Sequence, residues 1–307
     1  MQHIRIISRN SKLAMWQANH VKQILSSHYP EISIEIIGVT TEGDRILDKS
    51  LDKIGGKGLF IKELETQLMM KSADLAVHSL KDLPANLLPE FDLAAVLPRE
   101  NPYDALVSNQ FTSLDAIPEG GVIGTSSARR VAILKRYFPH LQVKLLRGNL
   151  QTRLAKLDNG DYDAIILAVA GLKRLGLEER ITQILPKETF IPAIGQGALA
   201  IEILKDNHEL FDLLQPLNDK LTFAAVSAER AMGRYLNASC NIPIAGYAEI
   251  NQDKLYLRGL IADSADNIYL DVAAHGSIDQ FEQIGIKCAE NLLQNGAAQI
   301  VDKYSNN

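Results

Sequence analysis

The chain has 307 residues, 46% of them hydrophobic, and a formal net charge of −5, a composition that fits a globular protein with room for two or three domains. That charge excludes overall attraction to nucleic acid or to an anionic membrane, so any basic binding surface has to be local. Its only cysteines, Cys240 and Cys288, cannot form a disulfide framework, and without CxxC, HExxH or clustered Cys/His spacing no metal is expected.

From the start, short apolar runs alternate with helical patterns. "IRIIS" (4–8), "ISIEIIGV" (32–39), "ADLAVH" (73–78) and "DLAAVL" (92–97) read as strands. Between them lie "KLAMWQANHVKQILSS" (12–27) and "GLFIKELETQLMM" (58–70), the latter with Leu59, Leu64, Leu68 and Met69 near one helical face. Such alternation predicts βαβ units and a largely parallel sheet. The proline- and charge-rich "PRENPYD" (98–104) reads as a linker, after which comparable units follow in 120–138, 142–160 and 162–176. "IPAIGQGALAIEIL" (191–204) is expected to return the chain to the first domain, so that two crossings form a hinge. After Pro216 a long helix (219–236), three β-like runs and a final helix (278–294) predict a small α+β domain. The expected division is therefore 1–97 plus 198–216, then 98–197, then 217–307. No segment has the length of an uncharged transmembrane span, and "MQHIRIISRN" lacks the pattern of a secretory leader, so a soluble cytoplasmic protein is expected.

Basic residues recur where a predicted strand gives way to a helix: Arg9, Lys81, Arg129, Arg130 and Arg147. In open α/β sheets these strand ends line the ligand crevice, where helix N-termini add N–H donors, and arginine forks suit carboxylates or phosphates. Arg153 follows in the next helix, Arg174 ends "AGLKR", and Lys53 and Lys57 flank the glycine-rich "KIGGKG". Any one of these alone reads equally as a solvated charge or a helix cap; their recurrence at one topological position points to a basic cleft for a small polyanion. Asp82, between Lys81 and Pro84, places an acid in that crevice. Such an acid suits a ligand with N–H groups or developing positive charge, the alternative being a structural ion pair.

Three look-alikes carry less. "GQGALA" (195–200) fits a dinucleotide pattern but precedes a strand, "GGKGLF" lacks the rest of a phosphate loop, and His78, Ser79 and Asp82 are too close in sequence for a hydrolase triad, which leaves His78 structural. Cys288 falls in an amphipathic helical pattern and reads as core, whereas Cys240 falls in a polar turn, "NASCNIPIAG".

Blocks of the chain in order, "GKGLFIKELE" (56–65), "HSLKDLP" (78–84), "GTSSARR" (124–130), "RGNLQTRLAKLD" (147–158), "AGLKRLG" (170–176), "GQGALAIE" (195–202) and "ER…SCNIPIAGYA" (229–248), closely resemble the porphobilinogen deaminase (hydroxymethylbilane synthase) family. The resemblance implies three α/β domains, the first two like type II periplasmic binding proteins around a hinged cleft and the third a small α+β domain. It further implies a monomeric transferase of tetrapyrrole and haem biosynthesis that joins four porphobilinogens head to tail with release of ammonia, and a covalent dipyrromethane cofactor held by a thioether to Cys240. By motif match Lys81, Asp82, Thr125, Ser127, Arg129 and Arg130 hold the cofactor, while Arg9, Ser11, Arg147, Arg153 and Arg174 hold substrate and growing chain. Asp82 matches the catalytic aspartate, Gln196 and Gly197 line the cleft, and Lys53 and Lys57 belong to a closing loop. Phe60 either stacks on a pyrrole or packs in the core. The departures are Ala238 and Ser239 where glycines are usual, Ala128 in place of a larger apolar residue, and Leu150 and Gln151 in place of valine and asparagine; none removes a functional side chain. The rival from another class is a non-catalytic anion-binding module, which would need neither Asp82 nor an exposed thiol.

Overall fold

The computed structural model describes residues 1–45, 61–237 and 242–305. The first lobe is built from β1 (His3–Arg9), α1 (Lys12–His28), β2 (Ser33–Val39), the short α2 (Glu42–Arg45), α3 (Lys62–Met69), β3 (Leu75–Ser79) and β4 (Phe91–Val96). The second comprises β5 (Asp104–Val107), β6 (Val122–Gly124), α4 (Ala128–Tyr137), β7 (Gln142–Lys144), α5 (Leu150–Asp158), β8 (Ala164–Ala168), α6 (Val169–Arg174) and β9 (Gln183–Ile184). The chain then returns through β10 (Leu199–Leu204) and α7 (His208–Leu214). It ends in α8 (Lys220–Tyr235), β11 (Ile244–Asn251), β12 (Lys254–Asp263), β13 (Ile268–Ser277), α9 (Phe281–Gln294) and α10 (Ala297–Ser305).

The two lobes share one sheet plan. The first runs β2-β1-β3-β10-β4 and the second β7-β6-β8-β5-β9. In each, three neighbouring strands are parallel, and the fourth place is taken by the strand that has just crossed from the other lobe, β10 or β5, antiparallel to both its neighbours. The parallel strands are covered on both faces, so β1 buries Ile4, Ile6 and Ile7 instead of alternating. On one face lies the α1 stripe Ala18, Val21 and Leu25 with Leu210 and Leu214 of α7; on the other, Leu64 and Leu68 of α3 pack on Ile7 and Ala76.

The third domain is an antiparallel β11-β12-β13 sheet against α8 and α9, with Met232, Leu257, Cys288 and Leu292 in its core. Cys288 is fully buried there, and burial pushes its thiol up to about 12. A Cβ on Gly285 would collide with the Ala228 carbonyl, so glycine is what lets α9 approach α8. The opposite sheet face supplies Ala245 and Leu260 to the second lobe's core, and Val226 of α8 joins Leu80 and Leu83 of the first. The sequence pattern shows neither β5, four residues that begin on the last position of the linker, nor α10, which follows Gly296 with its φ of +100° and so lies beyond a helix stop signal. No helix among the described residues is long and apolar enough to cross a membrane.

Candidate active-site cleft

Strand ends and helix caps place the cleft's side chains. Arg9 closes β1 and Ser11 caps α1, its Oγ accepting from the Ala14 N–H at 3.3 Å. Beyond β3 the chain turns once through Leu80, Lys81 and Asp82. In the second lobe Ser127 caps α4 and accepts from the Arg130 N–H at 3.4 Å, while Thr125 Oγ1 accepts from the Ser127 N–H at 3.2 Å. A cap uses a hydroxyl's lone pair and leaves its O–H to donate, so Ser11, Thr125 and Ser127 keep a donor for a ligand anion. Arg147 follows β7, and Arg153 lies in the first turn of α5, its Nε donating to the Gly148 carbonyl at 2.9 Å.

The two sets of strand ends meet. Arg153, of the second lobe, feels Arg130 and Arg147 from its own lobe and Asp82 and Arg9 from the other; desolvation and then the three arginines outweigh Asp82 and bring its guanidinium down to about 10. Lys81, of the first lobe, feels Asp82 beside it and Arg130, Asp104 and Arg129 across the cleft. Its side chain is open to water, yet protein surrounds it beyond the first solvent layer, as at the floor of a cleft. That desolvation, with the two arginines, outweighs the two aspartates and lowers its ammonium to about 8. On the first lobe's wall Arg9, Ser11, Gln17, His78, Ser79 and Asp82 line one cavity. His78 is spent on Glu202 at 2.9 Å, both side chains buried.

Asp104, at the start of β5, is the group that sequence reasoning missed. Fully buried, it accepts from Arg129 Nη1 at 2.8 Å and Nη2 at 3.2 Å, from Arg130 Nε at 3.2 Å and Nη2 at 2.6 Å, and from Gln196 Nε2 at 2.9 Å. Burial raises its pKa, but the two guanidinium groups overcome that and hold the carboxyl well below the ordinary carboxylate range. Arg129 also donates to the Ile191 carbonyl at 2.7 Å and Arg130 to that of Ile166 at 2.7 Å, while Arg129 Nε is buried with no partner among the described residues.

Gln196 and Gly197 are both buried, in the second of two crossings that run side by side. Gln196 Nε2 donates to the Pro102 carbonyl at 2.6 Å and its Oε1 accepts from Lys81 Nζ at 3.5 Å. The Gly197 carbonyl accepts from Arg174 Nη2 at 2.6 Å and from the Glu100 N–H at 3.1 Å. With φ at +90° and the Glu100 carbonyl where a Cβ would go, Gly197 permits the close pairing of the crossings. Arg174 lies 6.0 Å from the Trp16 ring of α1, at the boundary between the lobes; burial brings it to about 10 despite Glu100.

A second missed set joins the third domain to the crossings. Glu229 of α8, fully buried, accepts from Arg99 Nη1 at 2.6 Å, from the Gly195 N–H at 2.7 Å and from the Ala248 N–H at 2.9 Å. Arg230 donates to the carbonyls of Pro84 at 2.8 Å and Ala85 at 3.1 Å, fastening the segment just after Asp82 to α8. The adjacent "ER" was the only signal in the sequence for this joint. Lys53, Lys57, Phe60 and Cys240 lie outside the described residues.

Residues 4–212 match the family described as porphobilinogen deaminase, dipyromethane cofactor binding domain, and residues 223–294 match porphobilinogen deaminase, C-terminal domain. The chain is 52% identical over 302 residues to the porphobilinogen deaminase of Laribacter hongkongensis, covering 98% of each chain. To that of Neisseria meningitidis serogroup B it is 50% identical over 301 residues, covering 98% of this chain and 97% of the other. Among solved structures it is similar to the methionine binding protein MetQ, with a TM-score of 0.46 and 12% identity over 77% of this chain and 96% of that one. On the domain matches and on this identity along nearly the whole of both chains, the chain belongs to the porphobilinogen deaminase family.

Proposed function

We propose that the cleft joins four porphobilinogens head to tail into hydroxymethylbilane, with Asp82 as the catalytic group and the surrounding cations as carboxylate holders. One observation carries this reading: an exposed carboxylate, Asp82, lies among Lys81, Arg9 and Arg153, cations drawn from both lobes. Porphobilinogen bears an acetate and a propionate, which such forks and ammonium groups hold. Loss of ammonia from its aminomethyl group develops positive charge beside the pyrrole N–H. Asp82 can accept that N–H, balance the charge and take up a ring proton as the new carbon–carbon bond forms.

The cation-rich floor fits dipyrromethane, two linked pyrroles with four carboxylates. Lys81, Arg129, Arg130, Thr125 and Ser127 would hold these groups, and Cys240 would attach the cofactor through a thioether. When bound, the cofactor supplies a tethered pyrrole carbon as nucleophile. Arg9, Ser11, Arg147 and Arg153 would orient the incoming ring, and Arg174 would act from the lobe boundary. Gln196 and Gly197 would support this site from beneath, and Lys53, Lys57 and Phe60 are read as further substrate-binding residues. The sheets support a division into 1–97 plus 198–216, 98–197 and 217–307. The enzyme is read as a cytoplasmic monomer, and the net charge of −5 supports the absence of a nucleic acid partner.

Intact-mass measurement of protein from a host that makes porphobilinogen tests the attachment. A two-pyrrole adduct is expected in the wild type and in Cys288→Ala, and the bare mass in Cys240→Ala. A bare wild-type mass, or an adduct that survives Cys240→Ala, sinks the assignment.

A further inference from the structure

Asp104 lies outside every motif block that marks the family, yet it touches more of the cleft's cationic machinery than any residue within them. We propose that Asp104 is a positioning residue for the cofactor's carboxylates: a buried counter-ion that fixes Arg129, Arg130 and, through Gln196, Lys81 as one cation set drawn from both lobes. The proposal rests on the reading of those three cations as cofactor holders.

Gln196 makes the link directional. Its carbonyl oxygen faces the Lys81 ammonium at 3.5 Å and its amide nitrogen faces Asp104 at 2.9 Å. The flipped amide would set N–H against ammonium and oxygen against carboxylate, so the two charges fix its orientation. Asp104 opens the second lobe, Arg129 and Arg130 stand on α4, Gln196 lies in the returning crossing, and Lys81 belongs to the first lobe. One carboxylate is thus the common reference for cations on both sides of the cleft.

Charge supplies the reason for it. Lys81, Arg129 and Arg130 repel one another across this gap, and both arginines oppose the charged form of Lys81 while Asp104 and Asp82 favour it. Three cations less the carboxylate of Asp104 leave a charge of +2, which answers the two negative charges of the acetate and propionate of one pyrrole ring. A purely structural ion pair would need one arginine; here a second arginine and a relay to Lys81 converge on the same group.

The test times the appearance of the two-pyrrole mass adduct when full-length chain, purified without cofactor, meets porphobilinogen across a range of pH. In the wild type, loading should fall as the pH rises through about 8, where Lys81 loses its charge. In Asp104→Asn, loading should slow by about tenfold or more, and its alkaline limb should move down by roughly one pH unit as the ammonium loses an anion. Loading at the wild-type rate, or an unmoved limb, overturns the proposal. If Asp104→Asn does not fold, Gln196→Met decides, because it keeps the arginine pairs on Asp104 and removes the link to Lys81, along with the bond to the Pro102 carbonyl. A lowered limb is then expected, and an unmoved limb overturns the link. Lys81→Met separates the two ideas: wild-type loading in that variant would end the reading of Lys81 as a carboxylate holder, whatever Asp104 does.

Discussion

The cleft and the joint of the third domain are both assembled from charged side chains, but they balance those charges differently. At the joint, Glu229 meets Arg99 and two backbone N–H groups, and Arg230 spends its guanidinium on backbone carbonyls, so each charge is answered from within the chain. In the cleft, desolvation first and neighbouring cations after it draw Arg153 and Lys81 down from their ordinary values, as desolvation also does to Arg230 at the joint, but around Arg153 three cations, Arg130, Arg147 and Arg9, meet one acid, Asp82, among the described residues. A balanced cluster contributes to the fold. An unbalanced one favours an incoming anion, and here it surrounds Asp82.

The largest expected effect comes from the cleft. Asp82→Asn preserves shape and removes the negative charge, so turnover should fall by about 10²–10⁴-fold while the unfolding midpoint in urea barely changes. Asp82 is exposed, so the change leaves the packed core intact. Steady-state rates of cofactor-loaded protein check this; a variant that turns over normally would clear Asp82 of any catalytic part.

Glu229→Gln should show the opposite pattern. It leaves Arg99 in a largely buried place without its counter-charge, which costs about 3–5 kcal/mol when one partner of a buried pair is removed. Urea unfolding should therefore begin earlier, while the protein still folded keeps its chemistry. An unfolding curve that matches the wild type would erase the distinction between joint and cleft.

Lys81 sharpens the comparison through pH. Its folded-state value of about 8 lies below its ordinary 10.5, so folding disfavours the charged form. Below about 8 the lysine is protonated in both states and the cost is constant; between about 8 and 10.5 the folded chain binds fewer protons, and stability rises with pH. Cofactor loading should run the other way across that window, since carboxylates need the ammonium. Unfolding of the cofactor-free chain at several pH values, with Lys81→Met as the reference, checks the sign; a stability difference from that variant that does not change with pH would mean Lys81 is not desolvated at the cleft floor.

Much of this was legible in the sequence, and the reasons lie in particular residues. The run Ile4, Ile6, Ile7 and the caps Ser11 and Ser127 write their structure locally, so strands, helices and the strand-end cations follow from short windows. The returning β10 was legible as well, because an apolar run entered through glycines has to be buried in some sheet. Asp104 and Glu229 were not legible as partners of Arg129 and Arg99. Those pairs span 25 and 130 positions, and a buried acid looks like any linker or helix acid until the fold closes around it. Nor was the sharing of the two crossings, which depends on backbone bonds between Glu100 and Gly197.

The smallest effect should come from a charge pair outside both regions. Arg180 meets Asp158 at 2.6 Å on the surface of the second lobe, and this hydrogen bond holds the Asp158 carboxyl below its ordinary value against modest desolvation. With the folded-state value lowered, any stabilisation is present above the unfolded value and is lost as pH falls through the folded one. Water screens the pair, so Asp158→Asn should cost no more than about 1 kcal/mol at neutral pH, with a dependence on salt that Glu229→Gln lacks. A loss as large as that of Glu229→Gln would show that the number of ion pairs sets stability; a small, salt-sensitive one leaves burial as what separates the joint from the surface.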